Sequence, residues 1–167
     1  ISGVRVRDRT QSQTDGDQLD ADLIVDASGR SSHTAEWLKE LGYPLPEETT
    51  VNSFLGYSTR LYAPPPDFKE DWKALLVRGR APFTGRGGII YAIEGGRWIV
   101  TLAGAGRDYP PLDDAGFLEF AQTLGDPPLV YEALCAARPL NTIVGYQRTD
   151  NRWRHYERLP RWPDNFI

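Results

Sequence analysis

Apolar and polar residues alternate along much of this chain, a pattern typical of half-buried β-strands. Val4 and Val6 alternate with arginines, and residues 15–17 form a polar turn of aspartate and glycine. The apolar run at residues 23–25 predicts a strand that is covered on both faces. The first 27 residues therefore predict two strands around a turn.

Helical spacing replaces the alternation after residue 33. The residues that fall on one helical face are Thr34, Trp37, Leu38 and Leu41. Gly42 ends this short helix, and Pro44 and Pro46 prevent its continuation.

Longer antiparallel strands are predicted from residue 49 onwards. Alternation at residues 55–61 predicts one strand, and residues 72–77 predict another after three consecutive prolines. The strands at residues 88–93 and 98–102 are joined through Gly95 and Gly96. Because glycine tolerates positive φ, this pair predicts a hairpin with a primed turn.

Two helices are predicted after the hairpin. Asp113 caps the first, Gly125 ends it, and Pro127 occupies the first position of the second. The apolar faces consist of Phe117, Phe120, Ala121 and Leu124 in the first helix, and of Val130, Ala133, Leu134 and Ala137 in the second. Strands at residues 140–148 and 152–159 complete an α+β fold, mainly an antiparallel sheet with helices on one side.

Composition excludes several classes of protein. The chain is 40% hydrophobic and 25% charged, as globular domains are, and its net charge of −4 argues against binding nucleic acid. No apolar run approaches the roughly 20 residues of a membrane span. His33 and His155 are too isolated to form a metal site, and Cys135, the one cysteine, has no partner for an internal disulfide. We therefore expect a cytoplasmic protein.

Both ends of the sequence suggest a fragment. The chain contains no methionine, and it stops directly after the apolar pair Phe166 and Ile167. We therefore expect it to be a piece of a longer protein.

The loop at residues 26–32 carries the candidate cofactor-binding chemistry. It consists of small or polar residues, namely Asp26, Ala27, Ser28, Gly29, Arg30, Ser31 and Ser32. A strand that runs through such a loop into a helix points backbone N–H groups at a phosphate-bearing ligand, and Gly29 lets the backbone approach it closely. A plain connection in which Ser31 or Ser32 caps the helix is the alternative interpretation.

Residues 21–32, Ala-Asp-Leu-Ile-Val-Asp-Ala-Ser-Gly-Arg-Ser-Ser, resemble the internal flavin-contact motif of FAD-dependent monooxygenases of the aromatic-hydroxylase superfamily. Ser28-Gly29 stands where that family has Asp-Gly or a similar small pair, and Ser32 stands at the family's serine. Further segments resemble a bacterial branch that includes polyether-type polyketide epoxidases; they are residues 36–38, 56–62, 94–98 and 161–164.

This resemblance implies an FAD- and NAD(P)H-dependent enzyme that hydroxylates or epoxidises a small hydrophobic molecule. It implies FAD contacts at Asp26, Ala27, Ser28, Gly29, Arg30 and Ser32. Residues 1–45 would be a remnant of the FAD-binding domain, and residues 46–167 a substrate-binding domain truncated before the family's C-terminal Gly-Asp-Ala segment. No catalytic side chain is expected, because reduced flavin and dioxygen form the oxidant. The fragment alone is expected to be inactive.

Five residues of the central strands form the candidate substrate-binding set: Tyr57, Arg60, Tyr91, Trp98 and Thr101. Aromatic walls and one cation would hold and orient an anionic substrate. Core packing with a solvent-facing arginine explains the same residues equally well.

Two other functions remain open from the sequence. One is a flavin-dependent reductase, dehydrogenase or halogenase of the same superfamily. The other is a non-catalytic α+β ligand-binding module in which residues 26–32 are only a capped turn.

Overall fold

The computed structural model describes residues 1–7, 16–69 and 71–167. The chain divides into two compact units, a first unit of residues 1–49 and 152–167 and a second unit of residues 50–151. The sequence-based boundary at residue 45 assigned residues 152–167 to the second domain. These residues instead pack with the first unit, since Ile24 exchanges backbone hydrogen bonds of 2.9 Å with Asn165 and Ile167.

The first unit begins with an antiparallel pair, β1 (Gly3–Val6) and β2 (Asp17–Asp20). Of the predicted turn between them, Asp15 lies outside the described residues. The prediction of a strand covered on both faces at residues 23–25 is wrong. Ile24 forms only an isolated bridge to Phe166, and Leu23 and Val25 are 52% and 62% exposed, because no second layer among the described residues covers them.

Helix α1 (Thr34–Glu40) follows as predicted, but its buried face is narrower. Thr34 and Leu38 are buried, whereas Trp37 and Leu41 are largely exposed. In this helix of seven residues, the only pair that points inward is the i, i+4 pair of Thr34 and Leu38. Gly42 has a φ of +75° just after the helix, which explains the glycine there.

A two-stranded sheet joins β3 (Glu48–Val51) and β10 (Asn151–Arg154). The strand predicted for residues 152–159 therefore ends early. Residues 156–158 form a single turn of 3-10 helix in place of extended chain.

The second unit is built on an antiparallel sheet whose strand order is β5-β6-β7-β4-β8, with β9 also paired to β4. The strands are β4 (Gly56–Ala63), β5 (Ala74–Val77), β6 (Arg86–Ile93), β7 (Arg97–Gly104), β8 (Arg138–Pro139) and β9 (Val144–Tyr146). The single strand predicted for residues 140–148 is wrong. Within this range only Val144–Tyr146 form a strand. At residue 141 the side-chain oxygen of Asn141 accepts the hydrogen bond of the Leu61 amide at 2.8 Å.

The predicted β6–β7 hairpin is confirmed. Ile93 pairs with Arg97, and Gly95 and Gly96 between them have φ values of +74° and +62°. Side chains larger than glycine rarely adopt such angles, so the glycine pair fixes the turn locally.

Helices α2 (Asp114–Gln122) and α3 (Leu129–Ala136) cover one face of this sheet. The Asp113 carboxylate accepts a 2.9 Å hydrogen bond from the Gly116 amide, which confirms the predicted cap. Helix α3 begins two residues after Pro127, since a residue that precedes another proline avoids helical angles.

The core lies between these helices and the sheet. It is formed by Tyr62, Ile90, Trp98, Val100, Leu102, Phe117, Phe120, Ala121, Leu124, Val130 and Leu134. The predicted α+β fold with a mainly antiparallel sheet and helices on one side is therefore confirmed. None of the helices in the described part of the chain is long and apolar enough to cross a membrane.

Candidate functional site

The loop at residues 26–32 is organised around the Asp26 carboxylate. This carboxylate accepts a 2.9 Å hydrogen bond from the Ser28 amide and a 2.6 Å bond from the Ser32 hydroxyl. The hydroxyls of Ser28 and Thr34 donate to it as well. These donors, the Ser28 hydroxyl first among them, hold the pKa of Asp26 well below its usual range. The ionised carboxylate thus ties residues 28, 32 and 34 into one conformation.

Ser32 connects this loop to helix α1. Its hydroxyl oxygen accepts a 3.0 Å hydrogen bond from the Thr34 amide while its hydrogen goes to Asp26. His33 is the residue that precedes the helix, and its side chain makes no cap. Of the two serines predicted to cap the helix, Ser32 therefore supplies a hydrogen bond to the first turn, and Ser31 lies in a single 3-10 turn.

Gly29 lies at the exposed turn of the loop with a φ of +64°. A Cβ atom built on Gly29 would meet no described atom within 4 Å. The glycine is therefore required by its backbone angle, and the space beside it is open to a ligand. Arg30, which follows, is exposed and brings a positive charge to the loop.

The strand register of the second unit separates the candidate substrate-binding residues into two faces. Trp98 pairs with Tyr62 and Ala92 and points towards the helices, as alternate residues of β7 do. The opposite face, here called the open face, carries no helix among the described residues of this unit. It includes Tyr57, Thr59, Leu61, Leu76, Ile89, Tyr91, Ile99, Thr101, Ala103, Val144 and Tyr146.

The open face is apolar, aromatic and accessible. Tyr91, Leu76, Val144 and Tyr146 are each about half exposed or more, at 48%, 56%, 61% and 51%. The eleven side chains named above are uncharged, but the register also places two exposed arginines on this face, Arg97 opposite Ile93 and Arg138 opposite Ala63. Such a surface suits an apolar ligand.

Two hydroxyls lie at the centre of the open face. Thr59 is directly opposite Thr101 on the neighbouring strand, and their hydroxyl oxygens are 2.9 Å apart. The sequence reasoning named Thr101 and missed Thr59. Its alternation with Tyr57 gives the signal that both share a face, but the partner strand is visible only in the register.

The structure brings together Tyr57, Tyr91 and Thr101 on the open face and places Arg60 and Trp98 on the other. Trp98 is only 3% exposed, and its ring packs 4.9 Å from that of Phe68. The burial of such a large ring assigns Trp98 to the core.

Arg60 is held on the helix-covered face of the sheet. Its guanidinium donates to the Asn141 carbonyl at 2.8 Å and to the Asp114 carboxylate at 2.9 Å. The guanidinium of Arg60 is therefore paired within the fold and is not presented to a ligand on the open face.

A buried histidine is the feature that sequence reasoning missed most clearly. His155 is 3% exposed, and its ring nitrogens lie 2.8 Å from the Thr49 hydroxyl and 2.8 Å from the Glu157 carboxylate. The hydrogen bond to His155 lowers the pKa of Glu157. Both ring nitrogens are satisfied, as a structural histidine requires. Among the described residues, no group of three or more His, Cys, Asp or Glu could hold a metal ion.

Comparison with known proteins gives one curated relative and a set of solved structures. No family model matches the chain. Protein Rv3254 of Mycobacterium tuberculosis (strain ATCC 25618 / H37Rv) is 29% identical over 147 residues, which cover 88% of this chain and 30% of that protein. The chain thus spans less than a third of the length of this relative.

The solved structures include the flavin-dependent brominase Bmp2. It matches with a TM-score of 0.63 and 10% identity over 99% of this chain and 42% of the Bmp2 chain. A triple mutant of Bmp2 matches with the same TM-score, 11% identity and 39% of its chain. The 167 residues therefore have the α+β fold of the part of Bmp2 that they match.

Proposed function

We propose that this chain is part of a flavin-dependent oxidoreductase whose substrate binds at the open face. The observation that carries the proposal is the fold match to a flavin-dependent brominase over 99% of the chain. The sequence resemblance at residues 21–32 supports the same class of enzyme. In this proposal the first unit belongs to the FAD-binding domain and the second unit to the substrate-binding domain.

The loop at residues 26–32 is the proposed FAD contact, formed by Asp26, Ala27, Ser28, Gly29, Arg30 and Ser32. The local geometry fits such a group in two respects. The open space beside Gly29 admits a ligand against the backbone, and the charge of Arg30 suits the diphosphate of a dinucleotide. Within this contact Asp26 has a positioning role, because its carboxylate accepts hydrogen bonds from Ser28, Ser32 and Thr34.

The chemistry of the reaction belongs to the cofactor, since a flavin reduced by NAD(P)H supplies the redox step. The residues of this chain bind and orient the substrate. Tyr57 and Tyr91 offer rigid rings for an apolar molecule, and Thr101 offers a hydroxyl at the centre of the face. No side chain of the chain is proposed to act as a nucleophile, acid or base.

Oxygenation of a small hydrophobic molecule is the reaction we propose, and halogenation is the second candidate because Bmp2 is a brominase. The test uses the natural polypeptide that carries this chain, loaded with FAD and supplied with NAD(P)H, dioxygen and 2-naphthol, with and without bromide. Mass spectrometry should find an oxygenated product in both samples. A brominated product that forms only with bromide would establish the second candidate. Neither product, together with no consumption of NAD(P)H, would favour a non-catalytic binding module.

A further inference from the structure

We propose that the open face binds a flat apolar substrate that carries a carboxylate, and that Arg97 and Arg138 bind this carboxylate. The inference deepens the proposed function and rests on it, because it assumes that a substrate binds at this face. The anionic substrate that the sequence predicted is retained, but its counter-charge comes from these two arginines in place of Arg60.

The sheet of the second unit divides its arginines between its two faces. The six strands contain four arginines and no aspartate or glutamate. The two on the helix-covered face, Arg60 and Arg86, form ion pairs of 2.9 and 2.6 Å with aspartates of the same unit. The two on the open face, Arg97 and Arg138, are exposed and have no carboxylate partner among the described residues. The open face therefore carries positive charge that is not neutralised within the described part of the fold.

Arg97 and Arg138 lie in one row of the register, with Ala63 between them. Ala63 of β4 is opposite Arg138 of β8, and the pairing of β4 with β7 continues to Arg97 on the other side of Ala63. Adjacent strands are about 4.8 Å apart, so about 10 Å separates the backbones of the two arginines. The side chain of Ala63 is a single methyl group, and an extended arginine side chain spans half of this separation. Both guanidinium groups can therefore reach an anion that lies above Ala63.

The donors of both guanidinium groups are available to a ligand. The Nε of Arg97 donates a 3.1 Å hydrogen bond to the backbone carbonyl of Glu94 in the hairpin turn, which leaves four N–H groups. In the described part of the chain, all five donors of Arg138 are available. A carboxylate has two oxygens, so each arginine can bind one of them through charge-assisted hydrogen bonds.

Apolar side chains of the neighbouring row hold the body of the substrate. Leu61, Ile99 and Tyr91 lie side by side in this row, and Tyr91 is 48% exposed. Rows on the same face are two residues apart, which is about 7 Å. A flat ring over this row therefore brings a carboxylate at its edge to the arginines. The apolar row supplies contact area, and the arginines fix the direction in which the substrate lies.

The test compares two probes of the same shape, 6-hydroxy-2-naphthoate and its uncharged amide, by isothermal titration calorimetry with the natural polypeptide that carries this chain. We expect the naphthoate to bind about tenfold more tightly than the amide at an ionic strength of about 0.01 M. This preference should fall to about twofold at about 1 M, because salt screens exposed arginines. Arg97→Gln and Arg138→Gln should each weaken binding of the naphthoate about threefold and leave binding of the amide unchanged. The double variant should bind both probes equally.

Arg80→Gln is the matched control. Arg80 is also an exposed arginine of the second unit, but it lies in the loop before β6. Arg97 is opposite Ile93 at the other end of β6, roughly 24 Å along that strand. Arg80→Gln should therefore leave the preference for the naphthoate unchanged, and an unaltered thermal midpoint verifies that each variant is folded.

Four outcomes overturn the inference: equal binding of the two probes by the unchanged polypeptide, binding of neither probe, a preference that survives in the double variant, or an equal loss from Arg80→Gln. The proposed function is tested separately, by flavin content. A natural polypeptide that retains FAD and binds both probes equally would refute the carboxylate site alone. One that stays free of flavin and still prefers the naphthoate would refute the flavin assignment alone.

Discussion

The Ser32 hydroxyl donates a 2.6 Å hydrogen bond to the Asp26 carboxylate, six residues earlier in the chain. This bond closes the loop that precedes helix α1 and makes Asp26 the residue on which the loop conformation depends. The consequences for stability and for cofactor binding can be measured separately.

Stability of the first unit should depend on the ionisation of Asp26. The pKa of Asp26 is lowered in the folded state, so its stabilising effect is fully present above the unfolded value of about 3.9 and is progressively lost as the pH falls from there through the lowered folded-state pKa. Asp26→Ala should reduce the free energy of unfolding by about 1–2 kcal/mol at pH 7, a modest effect because solvent reaches the carboxylate. Urea unfolding at pH 7 and at pH 3 measures the difference. Asp22→Ala, at an exposed position, is the control, and an equal effect of Asp26→Ala at both pH values would contradict the prediction.

Gly29→Val should weaken FAD binding by the natural polypeptide at least tenfold. Gly42 provides a matched control, because it also has a positive φ, of +75° against +64°, and also has no described atom within 4 Å of a built Cβ. Both substitutions carry a similar backbone strain, about 1 kcal/mol. The FAD dissociation constant and the thermal midpoint are measured for both variants. Equal loss of FAD from Gly29→Val and Gly42→Val would show that the loop makes no special contact with the cofactor.

Trp98 and Tyr91 should respond in opposite ways to truncation. Trp98→Ala removes a buried ring from the core and should cost about 3–5 kcal/mol of stability. Tyr91→Ala, on the open face, should cost only about 0.5–1 kcal/mol. If the proposed function holds, Tyr91→Ala in the natural polypeptide should release more peroxide per NAD(P)H consumed, because a substrate that is poorly held is oxygenated less often. An unchanged ratio of product to NAD(P)H in Tyr91→Ala would remove Tyr91 from the substrate site.

Arg60→Leu tests whether the Arg60 guanidinium has any role in binding the substrate. Its guanidinium contacts Asp114 and the Asn141 carbonyl, so its loss should lower stability by about 0.5–1 kcal/mol and leave KM for the substrate unchanged. Steady-state kinetics and urea unfolding of the same variant give both quantities. A KM raised tenfold or more with unaltered stability would restore Arg60 as a substrate-orienting residue.

Local chemistry explains where the sequence predicted the structure correctly. The Asp113 cap and the Gly95-Gly96 turn depend on neighbouring backbone alone, and both are found. The faces of the sheet could not be assigned in this way. The strand register, which the sequence does not give, places Tyr91 and Trp98 on different faces, and the packing of α2 and α3 decides that the Trp98 face is the buried one.

Long-range contacts account for the remaining differences. Residues 23–25 have the composition of a buried strand, yet pairing depends on Phe166, more than a hundred residues away. The burial of His155 likewise depends on Thr49, which no local pattern connects to it. In the candidate site, the hydrogen bonds to Asp26 come from hydroxyl residues nearby in the sequence, so a local pattern could indicate them. The Thr59–Thr101 pair depends on the register of two strands that are distant in the sequence.

The most direct test of the central claim is the FAD content of the natural polypeptide that carries this chain. We expect it to purify with, or take up on addition of FAD, close to one flavin per protein, and to oxidise NAD(P)H only in that form. The 167-residue chain alone should retain no flavin under the same conditions, because one small loop cannot offset the entropy lost on association. A natural polypeptide that stays free of flavin at saturating FAD would contradict the assignment to a flavin-dependent oxidoreductase.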